Sequence, residues 1–232
     1  MYKSIYLARR NPGLSPEAFR ERWKQHSALT GTTQRIRPYF TQVVQCARFD
    51  GVGPADASMA FDGVNLLGLV ERAGGYGVFD EPEARDIMLP DELLTFSGPI
   101  RDCTLVTREH VCKPGGFQRY LVLRFLKFLP DGDREAQFRR WCELQAIRDS
   151  AGSAGSCVRR SVACLVVEAP PPGFEFDLVS ETWFADPDSL AVHSGDETSR
   201  RALQEALHSL CEPAGGVTFV ARVNHSRPAI DE

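Results

Sequence analysis

A chain of 232 residues can form one large domain or two of about 115 residues each. Its net charge of −4, with no long basic run, argues against nucleic acid as a partner. No apolar run approaches the length of a membrane-crossing helix and no apolar leader opens the chain, so a soluble cytoplasmic protein is expected.

Residues 2–9 alternate as a strand, and Asn11-Pro12-Gly13 is a turn. Ser15 is a natural N-cap and Pro16 fits the first helical position. The helix that follows places Phe19, Trp23, His26 and Thr30 on one face. Strands are expected at 38–48 and 62–71 around a Gly- and Ala-rich loop at 49–58. A helical region at 80–98, interrupted at Pro90, leads to a strand at 101–111. Pro114-Gly115-Gly116 reads as a linker. Beyond it come a strand at 118–128, a helix at 133–149 and a small-residue loop at 152–156. Strands at 157–168 and 176–184, a helix at 199–211 and a strand at 217–224 complete the chain, with His193 in a polar loop.

The order therefore repeats. Strand, Pro-containing turn and a helix bearing Phe and Trp occur at the start and again after the linker, with Phe138 and Trp141 in the second copy. Each half reads β-α-β-β-α-β, the ferredoxin-like α+β unit, with expected bounds of 1–113 and 117–232. Runs such as Val64–Val70 and Ala163–Val167 are apolar at consecutive positions, so both sheet faces should be buried. Packing the two sheets of one chain together gives an intrachain α+β barrel. The halves are unequal: where the first has His26, the second has Leu144 when aligned on Trp141, or Gln145 when aligned on Phe138.

The segment Arg9-Arg10-Asn11-Pro12-Gly13-Leu14-Ser15-Pro16, continuing through Phe19 and Trp23 to His26, resembles the opening of the EthD-like family of dimeric α+β barrel proteins. The first half also keeps Asp62-Gly63-Val64, and Asp91-Glu92 with Phe96. Its third strand departs from the family pattern, with Leu66 in place of Glu and Gly68 in place of Trp. The second half shows the reverse, keeping Glu181 and Trp183 but losing the His. The resemblance implies two tandem copies, the second degenerate, and a role in catabolism of small organic compounds. Related barrels include cofactor-independent cyclases, dehydratases, monooxygenases and isomerases, and haem-binding enzymes, so the fold alone selects no reaction.

His26 is the candidate acid–base group; as a core histidine it would instead be satisfied by a carbonyl or carboxylate. Tyr6, Trp23, Tyr39 and Leu66 are candidate lining residues, with Gly68 opening the pocket or marking a bulge. Glu181 beside Trp183 is a candidate base or polar ligand, or it pairs with an Arg such as Arg124 or takes an exposed edge position. The first half is expected to hold the larger cavity and the second to be filled by Trp183.

The seven cysteines show no zinc-type spacing and read as buried thiols, so no metal is expected. No cofactor motif is present. A cofactor-independent lyase, dehydratase or isomerase acting on a small apolar oxygenated compound is the favoured expectation. A non-catalytic small-molecule-binding protein of a catabolic pathway and a haem-binding protein are the alternatives. The partner is a small molecule, not nucleic acid or membrane, and the resemblance leaves room for a homodimer.

Overall fold

The structure, a computed structural model, describes residues 1–213 and 215–228. Eight antiparallel strands close into one barrel: β1 (Tyr2–Ala8), β2 (Phe40–Arg48), β3 (Gly63–Leu69), β4 (Thr104–Lys113), β5 (Tyr120–Leu126), β6 (Val158–Val166), β7 (Leu178–Phe184) and β8 (Val217–Arg227). Their order around the barrel is β1-β3-β2-β8-β5-β7-β6-β4. The strands before the linker therefore run β4-β1-β3-β2, and those after it β8-β5-β7-β6. The same arrangement occurs twice, and the pairs β2–β8 and β6–β4 close the ring. The closed ring leaves no free edge, which removes the usual route to edge-to-edge association.

The helices form where their caps and apolar faces direct. α1 (Pro16–Thr32) starts with Ser15 accepting from the Ala18 N–H, and buries Phe19, Trp23 and His26. Short helices α2 (Gly74–Gly77) and α3 (Leu89–Thr95) flank a π-helical turn at Ala84–Met88. In the second half α4 (Arg134–Arg148) is capped by Asp133. α5 (Gly152–Cys157) lies where the small residues suggest a loop. α6 (Pro187–Gly195) lies where a loop was expected and carries a buried His193; Asp186 caps it and Pro187 occupies its first turn. α7 (Glu197–Leu210) closes the outer layer, capped by Asp196.

Alternation sorts the side chains. Ile5, Leu7, Val44, Leu66, Leu123, Trp183 and Phe219 point into the barrel and form its core. Tyr6, Ala8, Val43 and Leu67 point outward to meet Phe19 and Trp23 of α1. One charged group crosses the interior: Lys3 Nζ lies 2.7 Å from Glu109 and 2.9 Å from Glu181. Burial alone would lower the Lys3 pKa, but the carboxylate charges, Glu181 foremost, outweigh it and hold the ammonium above its ordinary value.

Strand register fixes which positions correspond. Tyr6 stands opposite Asn65, and Arg124 opposite Ser180. Ile5 faces Leu66 and Leu123 faces Glu181, while Lys3 faces Gly68 and Leu121 faces Trp183. The matching of Leu66 with Glu181, and of Gly68 with Trp183, therefore holds in space.

Candidate functional site

The outer face of the first-half sheet and helix α1 are joined by a network around Trp23. Its indole N–H donates to Tyr6 Oη at 3.1 Å, and its carbonyl accepts from Gln45 Nε2 at 2.9 Å. The indole lies over Gly63, whose absent Cβ would sit 2.4 Å from the ring. Only glycine lets the helix approach this closely. Asn65 Nδ2 also donates to Tyr6 Oη, at 2.9 Å. Tyr6 thus accepts two hydrogen bonds while its own hydroxyl proton has no acceptor among the described residues. Burial drives its pKa upward, so it stays a neutral donor.

Tyr6 lines a cavity between the sheet, α1 and the segment 78–100. Its empty space is about 640 Å³ with the mouth included. Most of the wall is apolar, with Ile36, Phe40, Leu67, Val78 and Met88 prominent. The floor is polar. Ser4 Oγ, Gln45 Oε1 and Asn65 Oδ1 are buried there without a hydrogen-bond partner among the described residues. Unpaired buried acceptors cost about 1–3 kcal/mol each, so three together mark a place built to receive a donor.

His26 lines the same cavity. Its Nδ1 lies 2.7 Å from Asp91 Oδ2, and its ring meets Phe96 edge-on at 5.5 Å. Because a carboxylate only accepts, Nδ1 carries the proton and Nε2 is the basic nitrogen of the neutral ring. Nε2 has no hydrogen bond among the described residues. Asp91 also pairs with Arg22, one turn before His26 on α1. The His26 hydrogen bond is the chief reason that the Asp91 pKa is lowered, with Arg22 adding to it. Glu92, at the cavity wall, shows the opposite shift: burial raises it, although the Ile100 N–H donates to it at 3.1 Å.

The expected site residues are not all gathered here. Tyr6 and His26 line the cavity; Trp23 supports it from behind Tyr6. Tyr39 turns away and donates to Glu81 at 2.8 Å. Leu66 points into the barrel core. Gly68 opens no pocket, because Thr41 is the extra residue of a β-bulge opposite it and a Cβ at Gly68 would lie 2.6 Å from Thr41 Oγ1. Glu181 is fully buried inside the barrel, held by Lys3 and by the Trp183 indole N–H at 3.0 Å. Asp91 and the acceptors Ser4, Gln45 and Asn65 were not singled out as site residues. The Asp91-Glu92 pair was the signal available for one of them.

In the second half the matching space is filled by Gln145 rather than by Trp183. The Gln145 amide accepts from the Trp141 indole at 2.7 Å and from Ser180, and donates to the Glu181 carbonyl. Arg124 stands in the place of Tyr6, its pKa pushed down to about 10 by burial, with Arg148 nearby. The expectation that the first half holds the larger cavity fails on volume. A groove of about 1350 Å³, mouth included, lies beside Leu144. It runs between α4 and α7 and is lined by residues of those helices and of the start of α5, not by the sheet.

No family model matches the chain, and no curated protein matches it. Solved structures do. An anthrone oxidase-like protein superposes with a TM-score of 0.65 at 10% identity, over 97% of this chain and 91% of that one. A putative monooxygenase from Lactobacillus acidophilus NCFM gives 0.54 at 7% identity, over 97% and 94%. A chlorite dismutase variant from Candidatus Nitrospira defluvii gives 0.53 at 11% identity, over 96% and 91%. At such identities the likeness is one of fold, and this chain has the fold of the dimeric α+β barrel proteins, closed within a single polypeptide.

Proposed function

We propose that the first-half cavity binds a small, mostly apolar oxygenated compound and that His26 moves a proton on it. The observation that carries this reading is one arrangement. His26 is held through Nδ1 by Asp91, its Nε2 has no hydrogen bond among the described residues, and it lines the same cavity as the unpartnered polar atoms of Ser4, Gln45 and Asn65. A ligand carbonyl would accept from Tyr6 Oη, and a ligand hydroxyl would donate to Asn65 or Gln45. Nε2 takes a proton from an acidic O–H or C–H, and the Asp91 carboxylate stabilises the imidazolium that forms. The resulting anion is the branch point. With a leaving group it eliminates or isomerises, the outcome expected from the sequence. With dioxygen an activated CH₂ becomes C=O, one oxygen atom entering the product and the other leaving as water. The names of two fold neighbours, an anthrone oxidase-like protein and a putative monooxygenase, support the second branch. The resemblance to the EthD-like family supports the same half as the working one.

Haem-binding enzymes share this fold class, so haem is the second reading. His26 would be its ligand, and the Nδ1–Asp91 bond is a support such a ligand takes. The residues do not fit the group as they stand. Among the described residues no Lys or Arg lines the cavity to pair with the two haem propionates.

The test is a panel of anthrone-type and hydroxylated aromatic compounds, with oxygen uptake and substrate absorbance followed together. His26→Gln should lower turnover about 10²–10⁴-fold while folding is retained. Unchanged turnover in His26→Gln overturns the proton-transfer role. A Soret shift on adding hemin, lost in the same variant, would instead favour haem.

A further inference from the structure

The sequence spacing of the cysteines gives no hint of a metal site, yet the fold assembles one group with the right ligands. His110 and Cys112 lie on β4, and Cys142 lies on α4. Their ligand atoms are all within 4.8 Å of one another. Among the described residues no other set of three His, Cys, Asp or Glu side chains is so arranged. We propose that these three side chains bind a zinc-type divalent cation.

Local structure accounts for the convergence. Val111 pairs with Val162 and Lys113 with Ser161, so Cys112 is the extra residue of a β-bulge. A bulge re-aims its side chain, and here it brings the thiol toward α4. Cys142 follows Trp141, whose burial fixes the rotation of that helix. His110 is exposed, Cys112 half-buried and Cys142 buried, so the group runs from solvent into the helix–sheet layer and a cation has a way in.

The donor set is suited to the ion. Tetrahedral zinc with sulfur and nitrogen ligands sets those atoms roughly 3.5–3.8 Å apart, a small rotamer adjustment from the observed cluster. Two thiolates neutralise the cation, so a half-buried site carries no net charge. The exposed side leaves a fourth position for water. The Cys112 and Cys142 thiols face each other, and Cys112 makes only a long contact of 3.9 Å to the His110 carbonyl. β4 comes from the first half and α4 from the second, so the ion would fasten the two halves together outside the barrel. The site is remote in chemistry from the His26 cavity, and it stands or falls independently of the proposed function.

The experiment uses the full chain, reduced and stripped of metal. Cobalt(II) is titrated in as the spectroscopic probe and then displaced by zinc. One ion per chain is expected, with sulfur-to-cobalt charge-transfer bands and tetrahedral d–d bands. Cys112→Ser and Cys142→Ser should each weaken binding by more than about 100-fold, and His110→Ala should weaken it as well. Cys157→Ser, at another half-exposed thiol, should change nothing. Zinc should raise the unfolding temperature of the unaltered protein but not of Cys112→Ser, which keeps the test open if the buried Cys142→Ser fails to fold. Absence of cobalt binding by the reduced protein, or bands that persist in Cys112→Ser, overturns the proposal. So does a Cys112–Cys142 disulfide whose reduced form binds no metal.

Discussion

Asp91 and Glu92 are adjacent in sequence and are driven in opposite directions. Asp91 is lowered by His26 and Arg22, so its contribution to stability is present above the ordinary carboxylate range and is lost as pH falls through its folded value. Glu92 is raised, chiefly by burial. A carboxyl whose folded pKa is raised binds its proton more tightly in the fold. Its charged form therefore costs stability at neutral pH, and that cost fades as pH falls through the raised value. Glu92→Gln should accordingly raise stability at pH 7, and the gain over the unaltered protein should vanish in acid. Urea titrations of both proteins across pH check this, and a loss of stability at neutral pH would contradict it. Of this cavity the sequence disclosed His26 and Tyr6 through the helical face and the strand alternation. Gln45, Asn65 and Ser4 were not legible, because a polar residue in a strand looks the same whether its partner is solvent, backbone or a cavity.

At the scale of elements, long amphipathic segments with clear caps were legible: α1, α4 and α7 lie within a residue or two of expectation. The misses are short. α5 is built from Gly, Ser, Ala and Cys, which give no periodicity. α6 begins Asp186-Pro187, a cap and first-turn pair, but its nine residues are too few for an apolar stripe to stand out. That miss matters for His193, which α6 buries against Phe184 with a ring-centroid separation of 5.2 Å. Burial pushes the His193 pKa down to about 4, from an ordinary 6.5. Below pH 6.5 the unfolded chain takes up a proton that the fold resists, so stability falls with pH until about 4. The loss from this one group is about 3 kcal/mol. His193→Phe should flatten the stability profile in that window and leave it unchanged above. An equally steep acid limb in the variant would contradict the assignment.

For the whole molecule, the duplication and the two-sided apolar strands made the closed barrel legible, since each sheet needs a cover and the other half supplies it. The charge inside was read less well. Glu181 appeared as a site candidate, but its partner Lys3 comes from the far end of the chain, and no local pattern announces a pair 178 residues apart. Removing Lys3 leaves Glu181 and Glu109 facing each other in the interior. Lys3→Met should therefore cost about 3–5 kcal/mol, the usual penalty for stranding a buried charge. Calorimetric unfolding measures it, and a neutral effect would mean that the carboxyls protonate instead. The central claim is that the working cavity lies outside the barrel in the first half, between α1 and the sheet. A crystal structure with a bound phenolic or anthrone-type compound tests it most directly. The account predicts the ligand oxygen within hydrogen-bonding distance of Tyr6 Oη, with His26 Nε2 facing an acidic proton of the ligand. A ligand seated in the groove between α4 and α7, or in the barrel interior beside Glu181, would contradict it.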